Sequence, residues 1–248
     1  MVSHRNFGTM MTIFRKCRAM NEEKASHPID FSKENILHFL PFYHAAGFSI
    51  LSIGTLESST GVILPHFNPL LFLEVIQEYK IRQMTVVPPI LVFLAKSPLC
   101  NDYDLSSMER ILCGAAPAGK DICDEVVKRH KHLHYVEQVY GMSELVAVSH
   151  MADAQSRKKI GCSGKLVAGL QGMIVDVETG KEVATGQAGE ICVKGPTVML
   201  GYFGRPEATR ECIRDGWMHT GDIGYMDKDG DLFIVDRLKE LIKVKGLQ

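Results

Sequence analysis

The stretch YVEQVYGMSE (residues 135–144) places a strand-forming run directly before a glycine turn, and the fold prediction depends on it. Aromatic and β-branched residues favour strands, so residues 135–141 are predicted to form one. Ligands of an open α/β sheet bind beyond the ends of its strands. The residues that follow this strand are therefore the first candidates for a binding site.

Strand-like and helix-like segments alternate upstream of this stretch. Helices are predicted over residues 1–18, 44–56, 68–80, 90–96 and 120–130, and strands over 36–42, 61–65, 85–89 and 110–117. In the helix at 68–80, Leu71, Val75 and Ile76 share one side, which marks it as amphipathic. This alternation predicts a mainly parallel α/β layer unit over about residues 1–155.

The pattern changes after about residue 155. Helix signals become scarce except at PEATREC (206–212), and short strand-like runs separated by glycines follow one another. Antiparallel β structure is typical of such a pattern, so a barrel-like, β-rich subdomain is predicted over residues 156–236. KDG (228–230) is predicted to be a hairpin turn, because Asp-Gly supplies the positive φ angles of a tight turn.

Composition narrows the function. The chain has 248 residues, 46% of them hydrophobic, and a net charge of −1 without a long basic run, so no nucleic-acid partner is expected. Its seven cysteines are odd in number and lack C-x-x-C spacing, which argues against a disulfide framework or zinc site and predicts a reducing, cytoplasmic location. The charge-free stretch Asn35–Leu56 is broken by Pro41, which favours a buried strand and core helix over a transmembrane segment.

Residues 140–144 carry the strongest chemical signal. Tyr140 offers a flat face to a base, Ser143 a hydroxyl to a phosphate, and Glu144 a hard oxygen ligand suited to Mg²⁺. Glycine at 141 lets backbone approach a ligand closely. The same residues also fit a plain strand-to-helix turn capped by Ser143, and the five residues alone do not separate the two interpretations.

Three further segments are weaker candidates. The small residues Gly114, Ala115 and Ala116 leave a flat backbone surface for a planar ring, or simply a turn. Asp222 follows Gly221 at a predicted loop tip, where a carboxylate accepts hydrogen bonds from ribose hydroxyls or from nearby backbone N–H groups. Arg237 offers a guanidinium fork to ribose or phosphate oxygens, or belongs to a solvated charged segment.

The motifs together are more specific than any one alone. GAAP (114–117), YGMSE (140–144), GEICVKGPTVMLGYF (189–203), GWMHTGD (216–222) and DRLKELIKVKG (236–246) follow one another in an order that resembles the adenylate-forming (AMP-binding) superfamily. The resemblance is greatest to the acyl- and aryl-CoA ligase branch, which includes 4-coumarate–CoA ligases and beetle luciferases. It extends from about Ser3 to the last residue.

The resemblance implies an activity. A carboxylic acid would attack the α-phosphate of ATP to give an acyl-adenylate and pyrophosphate, and CoA would then displace AMP to give a thioester. ATP, Mg²⁺ and CoA are the implied cofactors, and a small-molecule carboxylic acid is the implied substrate. Glu137 stands where some luciferase-like members have a basic residue, which makes a luciferase-like monooxygenase the less favoured alternative.

The resemblance also assigns roles. In the nucleotide site, three small residues would flank adenine and Tyr140 would stack on it. Ser143 would hold the α-phosphate, and Asp222 and Arg237 would hold ribose. The nucleotide-binding set is Gly114, Ala115, Ala116, Tyr140, Gly141, Met142, Ser143, Asp222 and Arg237. Glu144 would bind the metal. The catalytic set is His44, Ser143 and Lys243, with Lys243 serving thioester formation. The acyl pocket would be formed by Tyr43, His44, Ala46, Gly47 and Ala147.

The chain departs from the family pattern in three respects. Val139 replaces a common glycine and would crowd the nucleotide. The Ser/Thr/Gly-rich phosphate loop ending in Pro-Lys-Gly would lie upstream of Met1, and the C-terminal domain would follow Gln248, so residues 237–248 are interpreted as a hinge stub. We expect a fragment that is inactive alone. The alternative is a non-catalytic remnant that keeps a nucleotide- or acyl-binding surface; peroxisomal targeting applies only to a longer relative.

Two other clusters contain potential metal ligands. The histidines of residues 130–134 lack a carboxylate or cysteine partner at matching spacing and are predicted to lie in a solvated loop. Asp227, Asp229 and Asp231 alternate around a glycine but fail the spacing of a calcium loop, so a hairpin turn is predicted there.

Overall fold

The computed structural model describes residues 1–116, 118–159 and 161–238. Its first element is helix α1 (His4–Glu23), which begins with a capping box. The Ser3 hydroxyl accepts a hydrogen bond from the Asn6 backbone N–H (3.1 Å), and the Asn6 side chain accepts one from the Ser3 N–H (2.9 Å). Two otherwise unpaired backbone donors are thereby satisfied, which fixes the start of the helix.

Two parallel sheets follow. Strand β1 (Asn35–His38) pairs with β2 (Thr60–Ile63), and β3 (Gln83–Val86) pairs with β4 (Arg110–Cys113), which pairs with β5 (Tyr135–Gln138). Parallel neighbours need crossover connections. These are provided by α2 (Ala45–Leu56), α4 (Pro88–Lys96) and α5 (Lys120–Arg129), while α3 (Pro69–Glu78) leads into β3. The predicted parallel α/β layer unit is confirmed, divided into two sheets.

The core of this unit lies between α3, α4 and the strands β3 and β4. Its largest fully buried side chains include Phe72, Leu73 and Ile76 of α3. Helix α3 buries Phe72, Leu73, Val75 and Ile76, whereas Leu71 is 37% exposed. The sequence located the helix correctly but placed Leu71 on the side of Val75 and Ile76; the ring of Phe72, packed 5.4 Å from Phe67, takes the inner position instead.

An antiparallel sheet forms the second half. Its strands lie in the order β6-β7-β12-β11-β9-β8, with β10 paired to β11. They are β6 (His150–Met151), β7 (Cys162–Leu166), β8 (Gln171–Val175), β9 (Gly189–Lys194), β10 (Ile213–Arg214), β11 (Trp217–Met226) and β12 (Asp231–Arg237). The short helix α6 (Pro206–Cys212) precedes β10. The sheet curls into a half-barrel, which confirms the predicted β-rich, barrel-like part.

The turn between β11 and β12 has a distinctive interior. Gly230 has a φ of +78°, and its N–H donates to the Asp227 carbonyl (3.0 Å), so a single glycine, not the Asp-Gly pair, provides the positive φ. The Lys159 ammonium donates to the carboxylates of Asp227 (2.6 Å), Asp229 (2.7 Å) and Asp231 (2.5 Å). The three carboxylates therefore surround a side chain of the protein itself.

Helix α1 and a buried ion pair join the two halves. Ile13 and Phe14 of α1 belong to the apolar cluster of the antiparallel sheet, and Arg110 of β4 donates to Glu22 near the end of α1. Glu137 of β5, 3% exposed, accepts a 2.8 Å hydrogen bond from Arg157. Burial raises the pKa of Glu137 above its ordinary value although Arg157 opposes the shift.

Helix α2 contains most of the charge-free stretch and is only 12 residues long. None of the helices among the described residues combines the length and the apolar character that crossing a bilayer would require.

The Glu137–Arg157 pair gives a stability prediction. Arg157→Met leaves a buried carboxylate without its cation, so the free energy of unfolding at pH 7 should fall by about 3–5 kcal/mol in urea titrations. The loss relative to the native chain should shrink as the pH is lowered. The pKa of Glu137 is already raised in the native chain and should rise further in the variant. As the pH falls, the folded variant therefore binds a proton at Glu137 before the unfolded chain does, and this stabilises the folded state.

Lys33→Met, which breaks an exposed pair with Asp30, is the matched control and should cause no measurable change. The double variant Glu137→Leu/Arg157→Met should regain most of the lost stability, because apolar residues can replace a buried pair. A loss from Arg157→Met no larger than that from Lys33→Met would contradict the interpretation.

Candidate nucleotide site

A buried carboxylate links the end of β5 to the antiparallel sheet. Asp222 is 7% exposed, and its Oδ2 accepts a 2.7 Å hydrogen bond from the hydroxyl of Tyr140, which is 9% exposed. Its Oδ1 lies 3.0 Å from Nε of Arg237. The structure thus brings together three residues that the sequence assigned to base and ribose binding.

The backbone around Asp222 is held by its own side-chain contacts. The Thr220 hydroxyl donates to the Ile191 carbonyl (2.8 Å) and accepts from the Asp222 N–H (3.1 Å). The Gly221 N–H donates to Oε1 of Glu190 (3.0 Å), and Gly221 has a φ of +73°. The pairing of β11 with β9 is interrupted between His219 and Ile223, so a bulge turns Asp222 towards Tyr140.

The electrostatic surroundings keep Tyr140 as the donor and Asp222 as the acceptor of their hydrogen bond. Burial and the neighbouring Asp222 charge raise the pKa of Tyr140 well above its ordinary value, so the phenol remains a hydrogen-bond donor. Each carboxylate oxygen has two lone pairs, and the Tyr140 and Arg237 contacts use one on each. The remaining acceptor positions are chemically suited to a pair of hydroxyl groups.

The predicted phosphate and metal residues lie on a tight turn. Ser143 begins a three-residue 3-10 turn (Ser143–Leu145) rather than capping a longer helix, and it is exposed. Oε1 of Glu144 accepts a 2.6 Å hydrogen bond from the Tyr202 hydroxyl, and the Glu144 carbonyl accepts from the Met199 N–H (2.8 Å). Partial burial, together with the hydrogen bond to Glu144 and its charge, raises the pKa of Tyr202, so the Tyr202 hydroxyl remains the donor to this carboxylate.

Gly141 has a steric role in the same turn. A Cβ atom at this position would lie 1.8 Å from the Ala147 carbonyl oxygen. The turn therefore folds back on itself in a way that only glycine allows, with Met142 half-buried beside it.

The loop after β4 is attached to the end of β5. The Gln138 side-chain amide exchanges two 3.1 Å hydrogen bonds with the backbone of Ala118. Ala115 has a φ of +70°, and both Ala115 and Ala116 are exposed. A Cβ atom at Gly114 would lie 3.1 Å from the Val139 side chain, so Val139 packs against this glycine.

The predicted acyl-pocket residues are only partly assembled. His44 is the N-cap of α2, and its Nδ1 accepts from the Ala46 N–H (3.2 Å). Gly47 is buried against the Pro41 carbonyl. Tyr43 is 93% exposed.

Phe7 of α1 connects this helix start to the Tyr-Gly turn. Its ring lies 4.9 Å from that of Phe48, and Phe7 and Ala147 pack against one small apolar cluster. Phe7 thus contacts α2 and shares an apolar cluster with Ala147. Lys243 lies outside the described residues.

The structure departs in part from the predictions for the histidines of residues 130–134 and for the three aspartates of residues 227–231. His130 is 6% exposed and its Nε2 lies 3.0 Å from the Leu94 carbonyl oxygen, so the prediction of a solvated loop was wrong at this residue, because Leu133 and α4 cover it. The hairpin predicted at Asp227, Asp229 and Asp231 is present, but its occupant Lys159 was not foreseen.

Several residues of the site escaped the sequence analysis. Gln138, Tyr202 and Thr220 each position a predicted residue or loop. Tyr202 lies within GEICVKGPTVMLGYF (189–203) and Thr220 within GWMHTGD (216–222), and their place in these motifs is the sequence signal that could have identified them. A cavity of about 160 Å³ lies between α5, β5 and β7, and neither Asp222 nor Glu144 lines it.

A parallel α/β layer followed by a curled antiparallel sheet is the architecture of the N-terminal domain of adenylate-forming enzymes. ATP-bound MatB from Rhodopseudomonas palustris superposes with a TM-score of 0.85 at 29% identity, over 100% of this chain and 46% of that one. The model of the AMP-binding enzyme family matches residues 1–203, and the chain belongs to this family.

Two curated relatives are similar along most of the chain. A probable 4-coumarate–CoA ligase 3 of Dictyostelium discoideum is 43% identical over 217 residues, covering 87% of this chain and 39% of the relative. The luciferin 4-monooxygenase of Photinus pyralis is 42% identical over 215 residues, covering 86% and 38%. The chain therefore spans about two fifths of the length of these relatives.

The two tyrosine–carboxylate contacts differ in burial, and this gives a prediction. Tyr140→Phe leaves Asp222 short of a donor in a buried setting, so the free energy of unfolding should fall by about 1–3 kcal/mol. Tyr202→Phe releases Glu144 at a site where Tyr202 is 37% exposed, and water replaces the donor. Its cost should stay below about 1 kcal/mol. Urea titration of both variants measures the difference, and equal costs would contradict the assigned burial.

Proposed function

We propose that this chain carries the base- and ribose-binding part of the active site of an acyl- or aryl-CoA ligase. The observation that supports it is the convergence of Tyr140, Asp222 and Arg237, which come from three separate motifs. A buried carboxylate with free acceptor positions beside an aromatic residue suits an adenosine group. Gly114, Ala115 and Ala116 would bound the base, since their small side chains leave backbone exposed.

The remaining roles follow the chemistry of the side chains. Ser143 is exposed beside Glu144, so its hydroxyl would contact the α-phosphate. Glu144 would hold Mg²⁺ after the Tyr202 hydroxyl turns away, because a carboxylate oxygen is a preferred Mg²⁺ ligand. His44 and the small residues Ala46, Gly47 and Ala147 would border the acyl group.

The proposed reaction has two steps. An oxygen of the substrate carboxylate forms a bond to the α-phosphorus of ATP, and the bond to the β-phosphate oxygen breaks, releasing pyrophosphate. The thiol sulfur of CoA then bonds to the acyl carbon, AMP leaves with the acyl C–O electrons, and the thiol proton goes to solvent. The chain's contribution to the first step is positioning and charge stabilisation.

This chain alone would not complete the reaction. Its sequence contains no Ser/Thr/Gly-rich loop ending in Pro-Lys-Gly, and such a loop supplies backbone N–H groups and a lysine to the triphosphate. Asp236 to Glu240 would serve as the hinge and Lys243 as the lysine of thioester formation in a longer protein. We assign residues 1–155 and 156–236 to two subdomains of one nucleotide-binding unit.

A non-catalytic remnant is the second candidate. It is favoured by the Tyr202–Glu144 contact, which occupies the proposed metal ligand. A luciferase-like monooxygenase has less support, because Glu137 is neutralised by Arg157 instead of being replaced by a basic residue. All seven cysteines are free thiols, in keeping with a reducing, cytoplasmic location.

The division of labour between ribose and metal ligands can be tested by binding. Isothermal titration of adenosine monophosphate without Mg²⁺ should show a loss of about 10- to 100-fold for Asp222→Ala, because charged hydrogen bonds to the ribose are removed. Glu144→Ala should change affinity little until Mg²⁺ is added. Equal losses for both variants in the absence of metal would refute these roles.

The incompleteness of the chain can be tested by turnover. Losing one preorganised donor from such a site typically lowers the rate by about 10²–10³, and several are missing here. Pyrophosphate exchange and CoA-thioester formation should therefore be negligible with the 248-residue chain and a panel of aromatic and fatty acids. A longer chain that also contains a phosphate loop and a C-terminal domain is the reference. Comparable turnover by the two would mean that another part of this chain holds the triphosphate.

A further inference from the structure

Three potential metal ligands meet on one face of the antiparallel sheet, behind the Asp222 turn. They are Glu190 and Cys192 of β9 and His219 of β11. Glu190 and Cys192 are two residues apart on a strand and so point to the same side. Cys192 and His219 are directly paired across the two strands, which places their side chains next to each other.

The distances between the ligand atoms are close to those of a metal centre. Nδ1 of His219 lies 3.4 Å from Sγ of Cys192 and 2.8 Å from Oε2 of Glu190, and the three atoms lie within 4.8 Å of one another. Zinc bonds of about 2.3 Å to sulfur and about 2.0–2.1 Å to nitrogen, at a tetrahedral angle, imply a sulfur–nitrogen separation of about 3.5 Å. The same geometry implies a nitrogen–oxygen separation of about 3.4 Å, so the carboxylate oxygen has to move about half an ångström away from Nδ1.

The hydrogen bonds within this cluster converge on one atom. One ring nitrogen, Nδ1 of His219, faces both a carboxylate oxygen and a thiol, and a single proton on it serves only one of them well. A cation placed between the three atoms would satisfy all of them. The Cys192 side chain is fully buried, whereas His219 and Glu190 retain 15% and 13% exposure, so the cluster opens to solvent on the side of these two residues.

We propose that Glu190, Cys192 and His219 form a binding site for a borderline-soft divalent cation, Zn²⁺, with water in the fourth position. Sulfur and imidazole ligands favour zinc over Mg²⁺ or Ca²⁺, which prefer oxygen. No motif in the sequence indicates the site, because its ligands come from two strands and lack C-x-x-C spacing. It is separate from the proposed Mg²⁺ ligand Glu144.

The charge balance of binding is simple. Burial and the Glu190 charge raise the pKa of Cys192 to about 12, while the nearby Arg214 opposes the shift. The thiol is therefore protonated in the free protein, and binding one Zn²⁺ forms a Zn–S bond and releases the thiol proton to solvent. Two anionic ligands then balance the charge of the ion, and Arg214 remains as the nearest opposing charge.

The site would also influence the Asp222 turn, an effect that rests on the proposed function. Oε1 of Glu190 accepts from the Gly221 N–H, immediately before Asp222. Shifting the Glu190 carboxylate to bind a metal disturbs this hydrogen bond and so weakens the support of the turn. Zinc should therefore lower the affinity for adenosine-type ligands, although it does not touch them.

The test is a competitive titration of the 248-residue chain with ZnCl₂ against a chromophoric chelator, under a non-thiol reductant. We expect one tightly bound Zn²⁺ per chain. Cys192→Ser and His219→Gln should each weaken binding by more than the about 10–100-fold typical of changes to groups around a metal's ligands. Cys212→Ser, a half-buried thiol outside the cluster, and Asp229→Asn, in the Lys159 cluster, are the matched controls and should bind as the native chain does.

The native chain supplies a second measurement that does not depend on the variants folding. Co²⁺ in place of Zn²⁺ should produce a thiolate-to-cobalt charge-transfer band in the near ultraviolet. Absence of this band, or equal zinc affinity in the native chain and Cys192→Ser, would overturn the site.

The coupling is tested separately by titrating adenosine monophosphate with and without bound zinc. Unchanged affinity would overturn the coupling. If no adenosine-type ligand bound under either condition, the proposed function and the coupling would both fall, while the zinc site would stand on its own titration.

Discussion

The carboxylate of Asp222 is the charge on which the arrangement of the candidate site depends. It is nearly buried, and burying an unpaired carboxylate is costly, so its donors must be in place when the chain is folded. One donor, Tyr140, is 82 residues away in the sequence and follows the last parallel strand; the other, Arg237, lies 15 residues away at the end of β12. This anion thus adds a contact between the α/β layer and the antiparallel sheet to those made by α1 and by the Glu137–Arg157 pair.

The sequence was most informative where structure depends on local pattern. Helix α6 spans the same residues as predicted, because a proline at its first position and the residues after it specify a short helix locally. The parallel strands were located from buried runs that end in turns. The sequence did not specify which flank of α3 would face inward, because Phe72 is selected over Leu71 by aromatic neighbours from other elements, including Phe93.

The site shows the same division between local and distant effects. Tyr140, Asp222 and Arg237 were singled out from three separate motifs, and the structure places their side chains in contact. The partners that restrain the motifs were not identified: Gln138 holds the loop after β4, and Tyr202 donates to Glu144. These contacts join residues far apart in the chain, and neither periodicity nor composition encodes them. The exposure of His130 was predicted wrongly for the same reason, because Leu94 of α4, which contacts its ring, is far from it in the sequence.

The lysine enclosed by three aspartates at the β11–β12 turn has a consequence for how this hairpin responds to its surroundings. In many acidic loops the neutralising charge is a dissolved cation, whose occupancy follows its concentration. Here the counter-charge is the Lys159 ammonium, tethered by its own backbone to the strand that begins at Cys162. Chelators cannot remove it and ion depletion cannot empty it. The hairpin thereby becomes insensitive to divalent ions, while acylation of that one amine would leave three carboxylates with only Lys165, 3.7 Å from Asp231, as a nearby cation among the described residues.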